Sequence, residues 1–271
     1  MHFSQILAAK SQIIGPGRLL KTKLWRSEFF SKRLNTDIFF KGEHLQRGGS
    51  IKSRGIYHWL RVHRQSHTSV VGKGCLNTQL GLAWACDTLG MTCKLVTSNP
   101  VHRSLLESYG AEVIQTDEPD EVCHESSQTL VFDPAKEDEF IQGQATLAIE
   151  VLEDVERFDA MVCPTVSGNL FSGIQCVFEA LRPRVNLIAC RPTETDKKLP
   201  AHCLPEETIM VTKSQMAAAC LQLAIHEKQV VEPLGAMGLA ALLAQPEPWQ
   251  GQKLVVLLTS GNDPAVLDRF P

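Results

Sequence analysis

The chain has 271 residues, 44% of them hydrophobic and 21% charged, with a formal net charge of −3. This is globular composition, long enough for a large core divided between two lobes. The slight negative charge and the absence of any basic run exclude nucleic acid as an expected partner. Nine cysteines suggest a disulfide framework until their spacing is read. They are scattered singly through apolar stretches (Cys86, Cys163, Cys176, Cys190, Cys220), with no CxxC pair and an odd total. That pattern fits buried free thiols in a reducing cytosol better than bridges or zinc. No apolar run is long enough to span a bilayer, so no membrane partner is expected. Lys10 and Arg18 break any secretory signal. Basic residues precede the first acid, Glu28, which leaves a mitochondrial transit peptide open beside the cytoplasmic reading, although residues from Thr22 onward read as part of the fold.

In chain order, hydrophobic patterning predicts a strand at Asp37–Lys41, a helix at Ile51–His63 and a strand at Ser69–Gly72. A helix at Gln79–Leu89, a strand at Cys93–Thr97, a helix at Pro100–Tyr109 and a strand at Glu112–Thr116 follow. The polar, acidic stretch Asp117–Gln128 reads as loose. Beyond it come a helix at Gly143–Glu153, a strand at Ala160–Pro164, a helix at Gly168–Leu181 and a strand at Asn186–Cys190. Helices at Lys213–His226 and Gly235–Leu243 and a strand at Leu254–Thr259 complete the series. Strand–helix alternation with nearly continuous apolar strands predicts an α/β fold, mostly parallel sheet flanked by helices. Residues 1–65 with 142–271 are expected to form a large lobe, and 66–141 a smaller inserted one.

In such folds the chemistry lies where strand C-termini meet helix N-termini, and four loops qualify. The first runs Gly48-Gly49-Ser50-Ile51-Lys52-Ser53-Arg54-Gly55. Ser50 is a possible helix cap, and Lys52 in the first turn opposes the helix dipole. Such an amine suits imine formation with an aldehyde if held neutral; the alternative is a solvated surface lysine. The second is Pro164-Thr165-Val166-Ser167-Gly168-Asn169, where backbone amides at a helix N-terminus can ring a phosphate. The alternative there is an ordinary turn capped by Ser167 or Asn169. The third is Gly74-Cys75-Leu76-Asn77-Thr78: Asn77 and Thr78 suit a phenolate or carboxylate, or else simply cap a helix, and Cys75 is a proton donor or a small buried thiol. The fourth is Thr259-Ser260-Gly261-Asn262, with a hydroxyl able to bond a heterocyclic nitrogen, or a turn satisfying its own backbone. No GxGxxG follows the first strand, so a dinucleotide site is not expected.

Taken together, from about Thr22 to Asp263, these loops resemble the fold-type II pyridoxal-phosphate (PLP) enzymes, and within them the serine/threonine dehydratase and serine racemase group. Gly49–Gly55 is similar to that family's GSFKxRG, Gly143–Glu150 to its GQGTIALE, and Glu232–Leu242 to its EPxGAAxLAAL. The resemblance implies a two-lobed, tryptophan synthase β-like fold, pyridoxal 5'-phosphate as cofactor and Lys52 as its Schiff-base lysine. It implies Asn77, Val166, Ser167, Gly168, Asn169 and Thr259 as cofactor contacts. Ser50, Cys75, Asn77 and Thr78 would meet the substrate, and Cys75 would stand beside Lys52 as the second catalytic group. Cys75 replaces the serine that racemase-like members use, and the Asn77-Thr78 pairing is closer to the cysteine synthase branch. Cys190-Arg191-Pro192 stands where family members carry a cation-binding Val-Glu-Pro, so no metal site is carried over. The chain is shorter than family members after Thr116 and after Pro192. The expected protein is thus a homodimeric lyase taking a small hydroxy- or β-substituted amino acid to a 2-oxo acid and ammonia. A β-replacement enzyme and a non-catalytic PLP or amino-acid binder are the alternatives.

Overall fold

A computed structural model describes residues 1–98, 102–124, 126–135, 137–194 and 208–263. In chain order the first elements are α1 (Phe3–Ile13), β1 (Leu24–Arg26), α2 (Glu28–Leu34), β2 (Asp37–Gly42), α3 (Lys52–His63), β3 (Ser69–Gly72) and α4 (Leu76–Leu89). Next come β4 (Thr92–Thr97), α5 (Arg103–Glu107), β5 (Glu112–Gln115), α6 (Pro119–Val122), β6 (Thr129–Val131) and α7 (Asp138–Asp154). The series ends with β7 (Ala160–Pro164), α8 (Asn169–Leu181), β8 (Asn186–Pro192), β9 (Thr208–Val211), α9 (Lys213–Gln222), α10 (Met237–Ala244) and β10 (Lys253–Leu258).

Two sheets result. The larger has the order β1-β2-β10-β7-β8-β9 and the smaller β5-β4-β3-β6. Every pairing among the described strands is parallel except that of β1 with β2. Parallel strands at the centre of such a sheet are buried on both faces, and β10 shows why its sequence is uninterrupted Leu and Val. Leu254, Val256 and Leu258 face the core formed with α9 and α10. Val255 and Leu257 face the opposite core, with α7 and α8. A third core joins α3 and α4 to the small sheet through Ile56, Trp59, Val70, Leu82 and Leu95.

The predicted strands and helices all appear, with shifted ends. Pro100, Val101 and Glu125 of the predicted segments lie outside the described residues. Three short strands (β1, β6, β9) and three helices (α1, α2, α6) were not predicted. The loose reading of Asp117–Gln128 needs correction at Pro119–Val122, which closes one helical turn. At the N-terminus, α1 is part of the fold. Ile6 joins the core under α7 and α8, and Ile13 joins that of the small sheet. The eight described cysteines are free thiols, and Cys176 is only half-buried; Cys203 lies outside the described residues. No helix among the described residues is long and apolar enough to cross a membrane.

Two glycines set the approach of the helices that frame the site. An added Cβ at Gly55 of α3 would lie 2.4 Å from the Phe140 carbonyl oxygen, and one at Gly143 of α7 would lie 2.4 Å from that of Arg54. The helices therefore meet backbone to backbone, which no larger residue allows.

Candidate active site

The head of α3 and the head of α4 converge. Lys52 Nζ donates to Cys75 Sγ at 2.9 Å and to Thr78 Oγ1 at 2.9 Å. Lys52 is half-buried, so the solvated-lysine alternative does not describe it. Cys75 keeps solvent access and is the N-cap residue of α4, so it is not a buried thiol. Desolvation pushes the Cys75 thiol up, but the adjacent Lys52 charge and the hydrogen bonds from Lys52 and Thr78 outweigh this. Its pKa falls below the ordinary thiol value. The contrast with Cys163 is direct: burial pushes that thiol up to about 12 against the lowering effect of Thr165.

Asn77 does not cap α4 with its side chain. Its Nδ2 donates to Glu232 Oε1 at 2.7 Å, and its Oδ1 accepts from Asn262 Nδ2 at 2.8 Å. Glu232, 7% exposed, also accepts from Ser260 Oγ at 2.5 Å and from the Asn262 backbone at 3.2 Å. Asn262 reaches the Gly48 carbonyl at 2.8 Å. The fourth loop therefore binds its neighbours through its side chains instead of serving its own turn. Glu232, Ser260 and Asn262 were missed as site residues in the sequence. Their motifs were visible, but partners 28 to 214 positions apart are not.

The turn before α3 is built on Gly48 and Gly49, both left-handed with φ of +65° and +67°. Ile51 N–H donates to the Thr259 carbonyl at 2.9 Å, and Ser50 pairs with Ser260 across an isolated bridge. Ser50 does not cap α3: Ile51 is the N-cap residue and no side chain caps it. The Ser50 hydroxyl is buried without a hydrogen-bond partner, and buried polar groups ordinarily have one. Thr259 is 8% exposed, its hydroxyl 3.5 Å from Ser260 Oγ. At the end of β7, Val166 and Ser167 are exposed, and Gly168 turns left-handed at +84° as the N-cap of α8. Neither Ser167 nor Asn169 caps this helix; Asn169 Nδ2 donates to the Pro134 carbonyl at 2.7 Å. The first-turn amides of α8 therefore lack a side-chain acceptor, the arrangement that receives an anion.

Beneath Lys52 lies a second constellation. Arg54, 0% exposed, pairs with Glu43 at 2.8 Å and with Glu150 at 2.7 Å, and Lys41 pairs with Glu150 at 2.7 Å. Thr22 Oγ1 donates to Glu43 at 2.6 Å, and Lys41 donates to the Thr22 carbonyl at 2.9 Å. Two buried cations meet two buried anions, so the charges balance. The arginine and glutamate of the motifs Gly49–Gly55 and Gly143–Glu150 thus join helices, whereas Lys52 meets Cys75 and Thr78.

The site thus has a lysine at a helix head with a thiol and a hydroxyl on its amine, set on a parallel α/β frame. Comparison with known proteins gives the family. The family model "Pyridoxal-phosphate dependent enzyme" matches residues 17–210, and the chain belongs to that family of PLP enzymes. It is similar to L-threonine dehydratase catabolic TdcB of Escherichia coli, 26% identical over 303 residues covering 95% of this chain and 92% of that protein. It is also similar to human serine racemase, 25% identical with 89% and 86% covered. The structure of maize serine racemase superposes with a TM-score of 0.86 at 22% identity, covering 99% and 97% of the two chains, a likeness of fold.

Proposed function

We propose that the chain is a PLP-dependent lyase of the dehydratase type. It would take a small hydroxy- or β-substituted amino acid to a 2-oxo acid and ammonia by α,β-elimination, with Lys52 as the cofactor's lysine. The observation that carries this reading is the Lys52 amine, held at 2.9 Å by both Cys75 and Thr78 at the head of α4. The reaction class is drawn from the relatives named as threonine dehydratase and L-threonine ammonia-lyase. The donor set suits the cofactor: an amine, the unpartnered Ser50 hydroxyl and the uncapped α8 head behind Gly168.

In this reading Val166, Ser167, Gly168 and Asn169 hold the phosphate with the α8 N-terminus. Asn77, fixed by Glu232 and Asn262, meets the ring edge, and Thr259 offers a neutral hydroxyl to the pyridine nitrogen. Pyridoxal phosphate, when bound, supplies the electron sink for charge developing at the substrate α-carbon. Lys52 Nζ takes the α-proton as general base, with Cys75 Sγ and Thr78 Oγ1 fixing the direction of the amine. The substrate carboxylate sits at the head of α4, on Ser50 and residues Cys75–Thr78. The large lobe (1–65 with 142–271) and the small lobe (66–141) close around this cleft; the small sheet draws all four strands from the inserted segment. The homodimer and the cytoplasmic location belong to the same reading, checked by light scattering for twice the 30.0 kDa chain mass and by cell fractionation.

The test is a visible spectrum of the purified protein before and after borohydride, peptide mapping of the reduced adduct, and 2-oxo acid release from L-serine and L-threonine. The pyridoxyl group is expected on Lys52, with 2-oxo acid formed from at least one substrate. A label on another lysine, or a protein that stays colourless with added cofactor, rejects the assignment. A new amino acid formed on adding a thiol would move the reading to β-replacement.

A further inference from the structure

The helix that begins at Lys52 ends at His63, and that far end carries a cluster the reaction does not use. His63 Nε2 is shut off from solvent and has no hydrogen-bond partner. Opposite it stand Glu137, the N-cap residue of α7, and Glu139 in the first turn. One ligand atom from each of the three lies within 4.8 Å of the others. No hydrogen bond or salt bridge joins His63 to either carboxylate. The three groups are too far apart to satisfy one another and close enough for one ion to touch all of them. A tetrahedral ion with bonds of about 2.0–2.1 Å holds its ligand atoms about 3.3 Å apart, so side-chain rotations of an ångström or so complete the contacts.

A second, independent observation points into the same spot. The indole N–H of Trp59, a residue 1% exposed, is buried without a hydrogen-bond partner, and the indole packs against the His63 ring with centroids 5.4 Å apart. A buried donor beside a ligating side chain is the outer-shell support that metal sites use to orient their ligands.

We propose that His63, Glu137 and Glu139 form a divalent-cation site that clamps the C-terminus of α3 to the N-terminus of α7. One imidazole nitrogen and two carboxylate oxygens suit Zn2+ or Mn2+ and their first-row neighbours. Three protein ligands leave further positions to water. The site lies at the opposite end of α3 from Lys52, about 16 Å along the helix axis, and its existence does not depend on which reaction the cleft performs. Its expected effect is on how firmly α3 is seated, because an ion bound only by the folded chain stabilises it.

The test uses the purified full chain, treated with a chelator, dialysed and titrated with Zn2+ by calorimetry, then with Co2+ by visible absorption. One equivalent is expected to bind, with weak ligand-field bands and no thiolate charge-transfer band, and with a rise in melting temperature. His63→Gln and Glu139→Gln are each expected to weaken binding about tenfold or more. Circular dichroism checks that each variant is folded, and Glu139→Gln, at the half-buried start of α7, carries the test if the histidine variant is not. Unchanged affinity in a folded Glu139→Gln variant overturns the proposal. So does a sulfur-to-cobalt charge-transfer band in the stoichiometric complex, or no binding below the millimolar range.

Discussion

Lys52 and Arg54 stand two residues apart on the same helix and meet opposite surroundings. Arg54 is 0% exposed, and both of its carboxylate partners are themselves completely enclosed. Lys52 is half-buried and has only a thiol and a hydroxyl as partners, neither of them a carboxylate. Removing one member of a buried pair strands the other in low dielectric, so the Arg54 side of the helix tolerates no change. The Lys52 side meets a thiol and a hydroxyl in place of carboxylates and keeps part of its surface in solvent. Enclosure beneath and access above come from one turn of helix, because successive residues there point about 100° apart.

The largest effect should come from breaking the open side. Lys52→Ala is expected to lower 2-oxo acid formation about 10²–10⁴-fold, the range for a lost general base. The melting temperature should change little, and a variant retaining full turnover would remove Lys52 from the mechanism. Breaking the closed side should do the reverse. Glu150→Ala is expected to cost about 3–5 kcal/mol in urea unfolding, by stranding Arg54 and Lys41. The comparison fails if the loss is under about 1 kcal/mol, the level of an exposed pair.

The same carboxylate sets an acid limb. Burial pushes the Glu150 carboxyl up, but the charges and hydrogen bonds of Arg54 and Lys41 carry it below its ordinary 4.5. Its contribution is complete above the unfolded value and is lost as pH falls through the lowered folded one. Glu150→Gln should therefore flatten the decline of stability below about pH 4.5, read from urea midpoints across pH.

Gly143→Ala sharpens the comparison from the backbone. Its Cβ would lie 2.4 Å from the Arg54 carbonyl oxygen, so α3 and α7 must part, at a cost of about 1–3 kcal/mol. An unchanged melting temperature would show that the helices can yield there. The smallest effect concerns Cys75. Desolvation raises its pKa and Lys52 more than reverses this, so alkylation by iodoacetamide should have its inflection below the ordinary 9.0. In Lys52→Ala the inflection should move upward, and one that stays in place would show that the amine does not act on the sulfur.

How much of this was legible depended on whether the signal was local. The Leu and Val run of β10 and the alternation around Ala160–Pro164 gave their strands directly, because burial on both faces leaves no polar positions. Lys52, Cys75 and Thr78 were singled out in the sequence, and the structure brings these three together. The three-residue strands β1 and β6 carry too few side chains to show a period, and α1 hid its Ile6, Ala9 and Ile13 stripe behind Lys10 and the Gly15-Pro16-Gly17 turn. Glu232 and Asn262 were visible only as family letters. Their work lies in contacts with Asn77 and Gly48, 155 to 214 positions away, which no window along the chain can contain. Reading Ser50, Asn77 and Asn169 as caps failed for a related reason: each spends its side chain on something other than its own helix, or on nothing in the protein at all.

One consequence remains in the turn ahead of Lys52. A single methyl group at position 49 would sit 2.1 Å from the Asn262 amide oxygen, and that amide steadies Asn77 on the far wall. Every amino acid other than glycine brings that carbon, and the left-handed backbone there penalises it further. A mutational walk through this loop therefore has no half-way residue at position 49. The carboxamide pair across the gap and the bare backbone beneath it would have to be exchanged together or kept as they are.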